Sequence, residues 1–147
     1  MTTNKIKIGA FLPSAGEFPR KYGVNNMAIR LEELGFSSLW VSDHILMPKI
    51  IKADYPFAKD KKATWDTNIV WYDSLILLSM AAAVTKNIKL GTAVLVLPLR
   101  HPIIFAKQAA TIDELSKGRL VLGIGAGWLS DEFDALNVNF KTRGKRF

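Results

Sequence analysis

Apolar residues along this chain follow two alternating patterns. Short apolar runs, with a period of two or without interruption, predict four strands at residues 5–12, 38–42, 88–97 and 119–124. In the first of these, four apolar residues share one face: Ile6, Ile8, Ala10 and Leu12. Between the strands, apolar residues spaced three and four positions apart predict helices at residues 22–34, 74–85 and 102–117. Strands that alternate with helices form a parallel sheet, so the pattern predicts an α/β fold.

Local signals mark where the predicted helices begin and end. Gly35 and Gly118 follow the first and third helices as C-caps, and Asp73 precedes the second as an N-cap. Pro102 stands in the first turn of the third helix, where a proline is favoured. The second helix is apolar on nearly every side, which predicts burial from several directions. The strand at residues 88–97 is continuously apolar, as is typical of a parallel strand that is covered on both faces.

The segment from about residue 45 to residue 70 follows neither pattern. It is rich in Lys, Asp and Pro, and it connects a strand to a helix. Such connections usually have about 2–6 residues, so this loop is unusually long. Two interpretations stay open, because long loops beside a site often cover the substrate, and a solvated insertion has the same composition.

Composition narrows the class of protein. The chain has 147 residues, of which 49% are hydrophobic and 22% charged, values typical of one globular domain. It has no cysteine, which excludes disulfides, thiolate metal sites and cysteine nucleophiles. Its two histidines, His44 and His101, are far apart and predict no metal site. The start lacks a signal peptide, and the most apolar stretch, residues 75–84, is too short for a membrane span. We therefore expect a soluble cytoplasmic domain with no membrane partner.

Positive charge is in excess but is unevenly distributed. The chain has 20 Lys and Arg residues and 13 Asp and Glu residues, which gives a net charge of +7. Much of the surplus lies in the long loop and at residues 141–146. No aromatic residues alternate with these charges as base stacking would require. The charges are therefore expected to be solvated and to bind no nucleic acid, although an anionic cofactor would also benefit from them.

A glycine-rich turn follows the fourth predicted strand. Its sequence, Gly123-Ile-Gly125-Ala-Gly127-Trp128, is similar to a dinucleotide-binding fingerprint. The third glycine of that fingerprint would have to replace Trp128, and no further βαβ unit follows. The turn therefore gives little support to a Rossmann fold. A (β/α)8 barrel has eight strands in about 250 residues, so four strands amount to half of one.

Several longer motifs occur in a fixed order. They are Leu39-Trp-Val-Ser-Asp43-His44, Leu90-Gly-Thr-Ala-Val-Leu-Val-Leu-Pro-Leu-Arg-His-Pro102, Ala106-Lys-Gln-Ala-Ala-Thr-Ile-Asp-Glu-Leu-Ser-Lys-Gly-Arg119 and the glycine turn with Glu132-Phe133. Together they resemble the luciferase-like monooxygenase superfamily, whose members are TIM-barrel oxidoreductases that depend on flavin or coenzyme F-420. The turn with Asp131-Glu-Phe and Arg143-Gly after it resembles the F-420-dependent subgroup. The resemblance implies that residues 1–147 form one partial domain, the parallel (β/α)4 half of a TIM barrel.

The resemblance also implies a site. Asp43 and His44 end the second strand, where barrel active sites form, and would be catalytic by orienting substrate and moving protons. The alternative is that these side chains hold the long loop. Thr92, Ala93 and Val94 would support the cofactor ring, with a cis peptide bond between the last two. The alternative for these three is an ordinary buried strand.

The glycine turn would complete the cofactor site. Its segment Gly125, Ala126 and Gly127 would direct backbone N–H groups at a phosphate or at the ribityl chain of the cofactor. The alternative is a tight turn in which glycine serves the backbone alone. Trp128 stands where some F-420-dependent enzymes have a carboxylate, which puts a sugar-phosphate dehydrogenase activity in doubt.

Two functions follow from these considerations. In the first, the intact domain transfers hydride between coenzyme F-420, or alternatively FMN, and a small organic substrate. In the second, the chain is a truncated, inactive half-barrel or a self-associating module. Two copies would then form a homodimer in which the fourth strand of each copy pairs with the first strand of the other, closing an eight-stranded barrel.

Overall fold

A computed structural model of the chain describes residues 6–147. The strands are β1 (Gly9–Phe11), β2 (Ser38–Val41), β3 (Lys89–Val96) and β4 (Leu120–Gly125). The helices are α1 (Phe18–Tyr22), α2 (Val24–Glu33), α3 (Ser74–Val84), α4 (Pro102–Leu115), α5 (Ser130–Ala135) and α6 (Arg143–Arg146). Single 3-10 turns lie at Leu97–Leu99 and Phe140–Thr142. Among these described helices, none has the length and apolar character needed to cross a membrane.

The strands form one parallel sheet in the order β1-β2-β3-β4. Phe11 lies beside Trp40, which lies beside Gly91, so the register is continuous across the first three strands. The predicted α/β class is therefore confirmed. Strand order follows chain order, as in a (β/α) barrel, whereas a doubly wound sheet reverses its order at a switch point. All four strands place their carboxyl ends at the same edge of the sheet.

The core lies between the sheet and the helices that cover one face. Leu39 and Leu90 of the sheet are fully buried against Ala28 of α2 and Leu78 of α3. A second cluster joins β3 to α3 and α4 through five residues: Leu75, Leu95, Phe105, Ala109 and Ile112. Burying one such leucine is worth about 1.5–3 kcal/mol. These two clusters fix the positions of the three long helices relative to the strands.

The opposite face of the sheet, which would face the interior of a barrel, is covered in part by Trp40. A Cβ on Gly91 would overlap the indole ring of Trp40, and a Cβ on Gly9 would lie 2.6 Å from its Nε1. That Nε1 donates to Ser38 Oγ at 2.9 Å. The two glycines therefore flank Trp40 and leave room for its side chain on the inner face.

Some details of the predicted elements are confirmed and others are wrong. Asp73 caps α3, since its Oδ1 accepts from the N–H groups of Leu75 and Ile76. Burial of that helix from several sides is confirmed, because it packs against α2, α4 and the sheet, although Ile76 on its outer face is 62% exposed. The first predicted strand is longer than β1: Lys5 lies outside the described residues, and Ile6 and Ile8 precede β1 and are exposed.

The amino-terminal end of the sheet is held by Arg119 and Glu32. Arg119 donates to Thr85 Oγ1 at 2.7 Å and to the backbone carbonyls of Ala82 in α3 and of Ile88 before β3. Glu32 accepts from three successive backbone N–H groups, at Lys86, Asn87 and Ile88. Burial raises the pKa of Glu32, but these hydrogen bonds and the charge of Arg119 outweigh it, so the pKa lies below its usual value. Burial also lowers the pKa of Arg119.

Candidate active site

A cavity of about 610 Å³ lies at the carboxyl ends of β2, β3 and β4. Its lining residues come from the strand ends, from the long loop and from the segment after β4: Ser42, Asp43, His44, Asp54, Pro56, Phe57, Ala93, Val94, Val96, Gly125, Ala126, Gly127, Trp128, Glu132, Phe140 and Arg143. This is the end of a barrel at which active sites form. All the predicted site residues except Thr92 line this one cavity, and Thr92 is fully buried next to it.

Asp43 is buried and is the centre of a polar network. Arg100 binds it in a bidentate arrangement, with Nη1 2.8 Å from Oδ2 and Nη2 2.9 Å from Oδ1. Ser74 Oγ donates to Oδ1 at 2.8 Å, and the N–H of Val96 donates to Oδ2 at 2.9 Å. Both oxygens are thus engaged, and the contacts join β2, β3 and α3. This geometry favours a positioning role for Asp43. The catalytic role that the resemblance implied is not tested by these contacts and stays a prediction.

His44 is held by a carboxylate to which the sequence pattern assigned no role. Its Nδ1 lies 2.9 Å from Glu132 Oε2, and Glu132 is 1% exposed. The other oxygen of Glu132 accepts from the N–H groups of Ile45 and Leu46 at 2.8 and 3.0 Å. The edge of the imidazole packs against Trp71, with ring centroids 4.6 Å apart. One buried carboxylate therefore fixes both the imidazole and the start of the long loop.

This arrangement leaves one imidazole nitrogen available for chemistry. Because the carboxylate accepts, Nδ1 carries a proton, and in the neutral ring Nε2 is then an acceptor. Nε2 makes no hydrogen bond to any residue that the structure describes, and His44 lines the cavity. A histidine oriented by a buried carboxylate is suited to accept or donate a proton at a bound molecule. The geometry therefore suits the catalytic role of His44, and that role stays a prediction.

The long loop is attached to α5 at a second place and contributes to the cavity. Asp131 accepts from the N–H groups of Lys52 and Ala53, the latter at 3.1 Å. Beyond this attachment the loop brings Asp54 and Phe57 to the cavity wall. The loop thus forms part of the cavity wall, and its role as a cover over a substrate stays a prediction.

The strand end beside the cavity has the predicted backbone. The Ala93–Val94 peptide bond is cis, as the resemblance implied. Pairing with β4 shifts register between Thr92 and Leu95, and Thr92 Oγ1 donates to the carbonyl of Gly123 at 2.8 Å. The prediction that β3 is buried on both faces is wrong here, because Ala93 and Val94 are exposed towards the cavity that they line. Two small apolar side chains thus form part of the cavity floor.

The glycine turn has two roles in the structure. A Cβ on Gly125 would lie 2.6 Å from Val94 Cγ2, and one on Gly127 would lie 2.7 Å from Val96 Cγ1. Gly127 also has a φ of +85°. These positions therefore need glycine for close packing, as the tight-turn alternative expected. In addition, the N–H groups of Ala126 and Gly127 donate to none of the described residues, so they stay available to a ligand.

Arg143 brings a positive charge to the cavity wall beside this turn. Its Nε donates to the carbonyl of Gly127 at 3.0 Å, and its guanidinium lies 3.7 Å from the centroid of the Phe140 ring. Arg143 is thus partly buried, whereas its neighbours Lys141, Lys145 and Arg146 are exposed. Together with the free N–H groups of the turn, its charge makes this side of the cavity suited to an anion.

Three important residues were not predicted as part of the site: Arg100, Glu132 and Arg143. Each interacts with residues distant in the sequence, such as Glu132 with His44, and no spacing rule connects such pairs. A weaker signal was present, because Glu132 follows the glycine turn at the same edge of a parallel sheet as His44. Residues that follow the carboxyl ends of neighbouring strands lie close together.

Comparison with known proteins gives consistent results. A family model described as luciferase-like monooxygenase matches residues 7–147. An uncharacterized protein of Mycobacterium tuberculosis is 41% identical over 107 residues, which are 71% of this chain and 38% of the relative. The F420-dependent glucose-6-phosphate dehydrogenase of Kineococcus radiotolerans is 34% identical over 144 residues, 97% of this chain and 37% of the relative. The chain thus spans less than two fifths of the length of either relative.

A solved structure agrees with these sequence matches. The monooxygenase RslO1 from Streptomyces bottropensis superposes with a TM-score of 0.68 at 26% identity. The match covers 97% of this chain and 40% of that structure. The four-stranded unit described above is therefore a portion of a larger fold in this neighbour.

Proposed function

The chain belongs to the luciferase-like monooxygenase family, and from this premise we propose that its cavity is the cofactor and substrate site of an oxidoreductase. The observation that carries the proposal is the convergence of His44, the Ala93–Val94 segment and the Gly125–Gly127 turn on one cavity. We propose coenzyme F-420 as the cofactor, with FMN as the alternative. A relative that is 34% identical is named as F420-dependent, which supports this choice.

The described residues fit such a cofactor. The short side chains of Ala93 and Val94 present an apolar floor on which a planar ring can lie. The free N–H groups of Ala126 and Gly127, with the guanidinium of Arg143, offer donors and positive charge to an anionic tail. When bound, either cofactor supplies hydride transfer, which the amino-acid side chains themselves do not provide.

The residues around the cavity would then act on the substrate. His44 Nε2 would accept or donate a proton at the substrate atom whose charge changes, while Glu132 keeps the ring oriented. Asp43 and Arg100 would hold the ends of β2 and β3 in position, because their ion pair connects β2 to the turn that follows β3. The loop that carries Phe57 would limit access of water to the reacting groups.

A fluorescence titration of the 147-residue chain with coenzyme F-420, and separately with FMN, tests the proposal. We expect saturable binding of one of them at micromolar affinity. Arg143→Gln should weaken that binding by about tenfold or more, since a hydrogen bond to a charged group is worth about 1.5–3 kcal/mol. Arg20→Gln, on an exposed residue of α1 outside the cavity, is the matched control. Absence of saturable binding to both cofactors would overturn the proposal for this chain.

A separate observation supports a second proposal, self-association. Within the described residues, β1 and β4 are the two edges of the sheet, and apolar side chains beside them, such as Phe11 and Ile124, are exposed. Open edges and exposed apolar surface favour association, and we propose a homodimer in which β4 of one copy pairs with β1 of the other. Light scattering at micromolar protein should then give twice the 16.4 kDa mass of one chain. A monomeric mass at that concentration contradicts the homodimer.

A further inference from the structure

Four aromatic side chains from distant parts of the chain form one cluster beside the cavity. We call the cluster the aromatic wall, and its members are Tyr55, Phe57, Trp65 and Trp128. The Tyr55 ring is central, with its centroid 5.4 Å from that of Phe57 and 5.0 Å from those of Trp65 and Trp128. All three pairs meet edge to face, an arrangement that aromatic rings prefer over face-to-face stacking. The other three rings of the wall therefore all contact the Tyr55 ring.

Two members of the wall face the cavity. Phe57 and Trp128 line it directly, while Tyr55 and Trp65 support them from behind. Phe57 is 78% exposed although it belongs to this packed cluster. An exposed phenyl ring whose loop is held at Ala53 by Asp131 offers apolar surface at a fixed place. A ligand that covers this ring would remove the exposed apolar surface from water.

The position of Trp128 relates the wall to the reacting groups. Its ring centroid lies 6.2 Å from that of His44, with the two planes nearly perpendicular. A molecule that rests on the wall therefore lies within reach of the imidazole. It also lies in the same cavity as Ala93 and Val94, where the cofactor ring is proposed.

None of the four members of the aromatic wall carries a positive charge. Asp54 lines the cavity next to the wall and brings a negative charge there, while its ion pair with Lys61, at 3.1 Å, lies at the surface. The cationic side chain among the lining residues that has spare donors is Arg143, and it lies beside Gly127, where the cofactor tail is proposed. The wall thus offers aromatic surface without a free positive group of its own.

We propose that the substrate is a neutral compound with a planar aromatic ring, held against Phe57 and Trp128 beside His44 Nε2. The inference rests on the proposed function, since it places this compound next to the cofactor. Aromatic rings gain from contact with other aromatic rings beyond the area that they bury. A phosphorylated sugar would find neither a ring partner nor a free cation at the wall.

Calorimetric titration of the 147-residue chain with three compounds tests this inference. The compounds are 2-naphthol, its saturated counterpart decahydro-2-naphthol and glucose 6-phosphate. The first two share a carbon skeleton and a hydroxyl group, and the variants at Phe57 separate the ring contact from the stronger hydrogen-bond donation of the naphthol hydroxyl group. We expect 2-naphthol to bind about three- to tenfold more tightly than the saturated compound, the range that an aromatic contact supports. Glucose 6-phosphate should show no saturable binding at the wall, so it should not compete with 2-naphthol.

Variants at Phe57 test whether the preference for 2-naphthol depends on this ring. Phe57→Leu keeps an apolar side chain but removes the ring, so it should abolish most of the preference for 2-naphthol. Phe57→Tyr, which restores a ring, should retain the preference. Phe18→Leu removes another exposed phenyl ring, on α1 and outside the cavity, and should change nothing. Because Phe57 is exposed on a loop, its replacement is not expected to disturb folding, and circular dichroism of each variant checks this.

Other outcomes would overturn the inference. These are equal affinities for the two ring systems, binding of glucose 6-phosphate in their place, a preference that survives Phe57→Leu, or displacement of bound cofactor by 2-naphthol. The last outcome would assign the aromatic compound to the cofactor position. A ring preference that depends on Phe57, in a chain that binds neither F-420 nor FMN, would leave the inference standing and the proposed function wrong. Cofactor binding without a ring preference would leave the proposed function standing and the inference wrong.

Discussion

The imidazole Nδ1 of His44 and the carboxylate Oε2 of Glu132 lie 2.9 Å apart, although 88 positions separate the two residues in the chain. The same carboxylate holds the N–H groups of Ile45 and Leu46 through its other oxygen. One side chain of α5 therefore determines both how the imidazole is turned and where the long loop starts. Loss of that carboxylate should disturb the two features together.

Glu132→Gln should change the tautomer of His44. The glutamine has nearly the same shape, but its amide NH₂ is a donor as well, so Nδ1 of the neutral ring no longer has to carry the proton. Nitrogen-15 chemical shifts of the imidazole at alkaline pH report which nitrogen is protonated. The chain has two histidines, and His101, which is exposed next to α4, is the internal control. Unchanged His44 shifts in Glu132→Gln would show that the carboxylate does not set the tautomer.

Asp43→Asn should strongly destabilise the fold. The substitution removes the bidentate partner of the Arg100 guanidinium, whose side chain is 9% exposed, and leaves it only the longer 3.4 Å contact with the half-exposed Asp73. Removing one member of a buried ion pair costs about 3–5 kcal/mol, because the other charge stays buried and uncompensated. The free energy of unfolding in urea measures this loss.

Asp54→Asn is the matched control for that experiment. Asp54 pairs with Lys61 at the surface, where both side chains are mostly exposed. Such pairs are worth about 0–1 kcal/mol, so the same substitution should have little effect there. Equal losses at Asp43 and Asp54 would mean that the network around Asp43 is not a stabilising ion pair.

Gly91→Ala should destabilise the sheet through Trp40. The added Cβ would overlap the indole ring, and overpacking of this kind costs about 1–3 kcal/mol. Trp40→Leu should remove the clash, so the double variant should lose less stability than the sum of the two single variants. Gly144→Ala is the control, because a Cβ there meets no atom within 4 Å. Additive losses at positions 91 and 40 would contradict the proposed overlap.

Much of the fold could be predicted from the sequence because its main elements depend on local signals. The strand and helix periods predicted four strands and three helices in chain order, the resemblance implied half of a barrel, and Asp73 marked the start of α3. The short helices α1, α5 and α6 could not be predicted, since five, six and four residues are too few for a period to be recognised. Apolar composition also failed to predict which side of α3 faces water, because that depends on the layer packed against it.

The site was predictable to the extent that it consists of motifs. The strand-end pair that includes His44, the segment at Ala93 and the glycine turn were identified from residues that are consecutive in the sequence. Their partners were not, since the contacts of Glu132 and Arg143 are created only when distant segments pack together. Trp128 also put a sugar-phosphate substrate in doubt, and this stays a prediction that the titration with glucose 6-phosphate tests.

The pH dependence of stability should reveal the role of Glu32. Its pKa is lowered in the folded state, because three backbone N–H groups and the charge of Arg119 favour the carboxylate more than burial disfavours it. The ionised form therefore stabilises the fold at any pH above the ordinary value of 4.5, and this contribution is lost as the pH falls through the lowered folded-state pKa. The difference in unfolding free energy between the native chain and Glu32→Gln should be constant near neutral pH and should shrink below pH 4.5. Glu33→Gln is the control, since Glu33 is exposed and pairs only with Arg30 among the described residues, and its difference should be small at every pH. A Glu32→Gln difference that stays constant or grows in acid would mean that the backbone hydrogen bonds do not favour the ionised carboxylate.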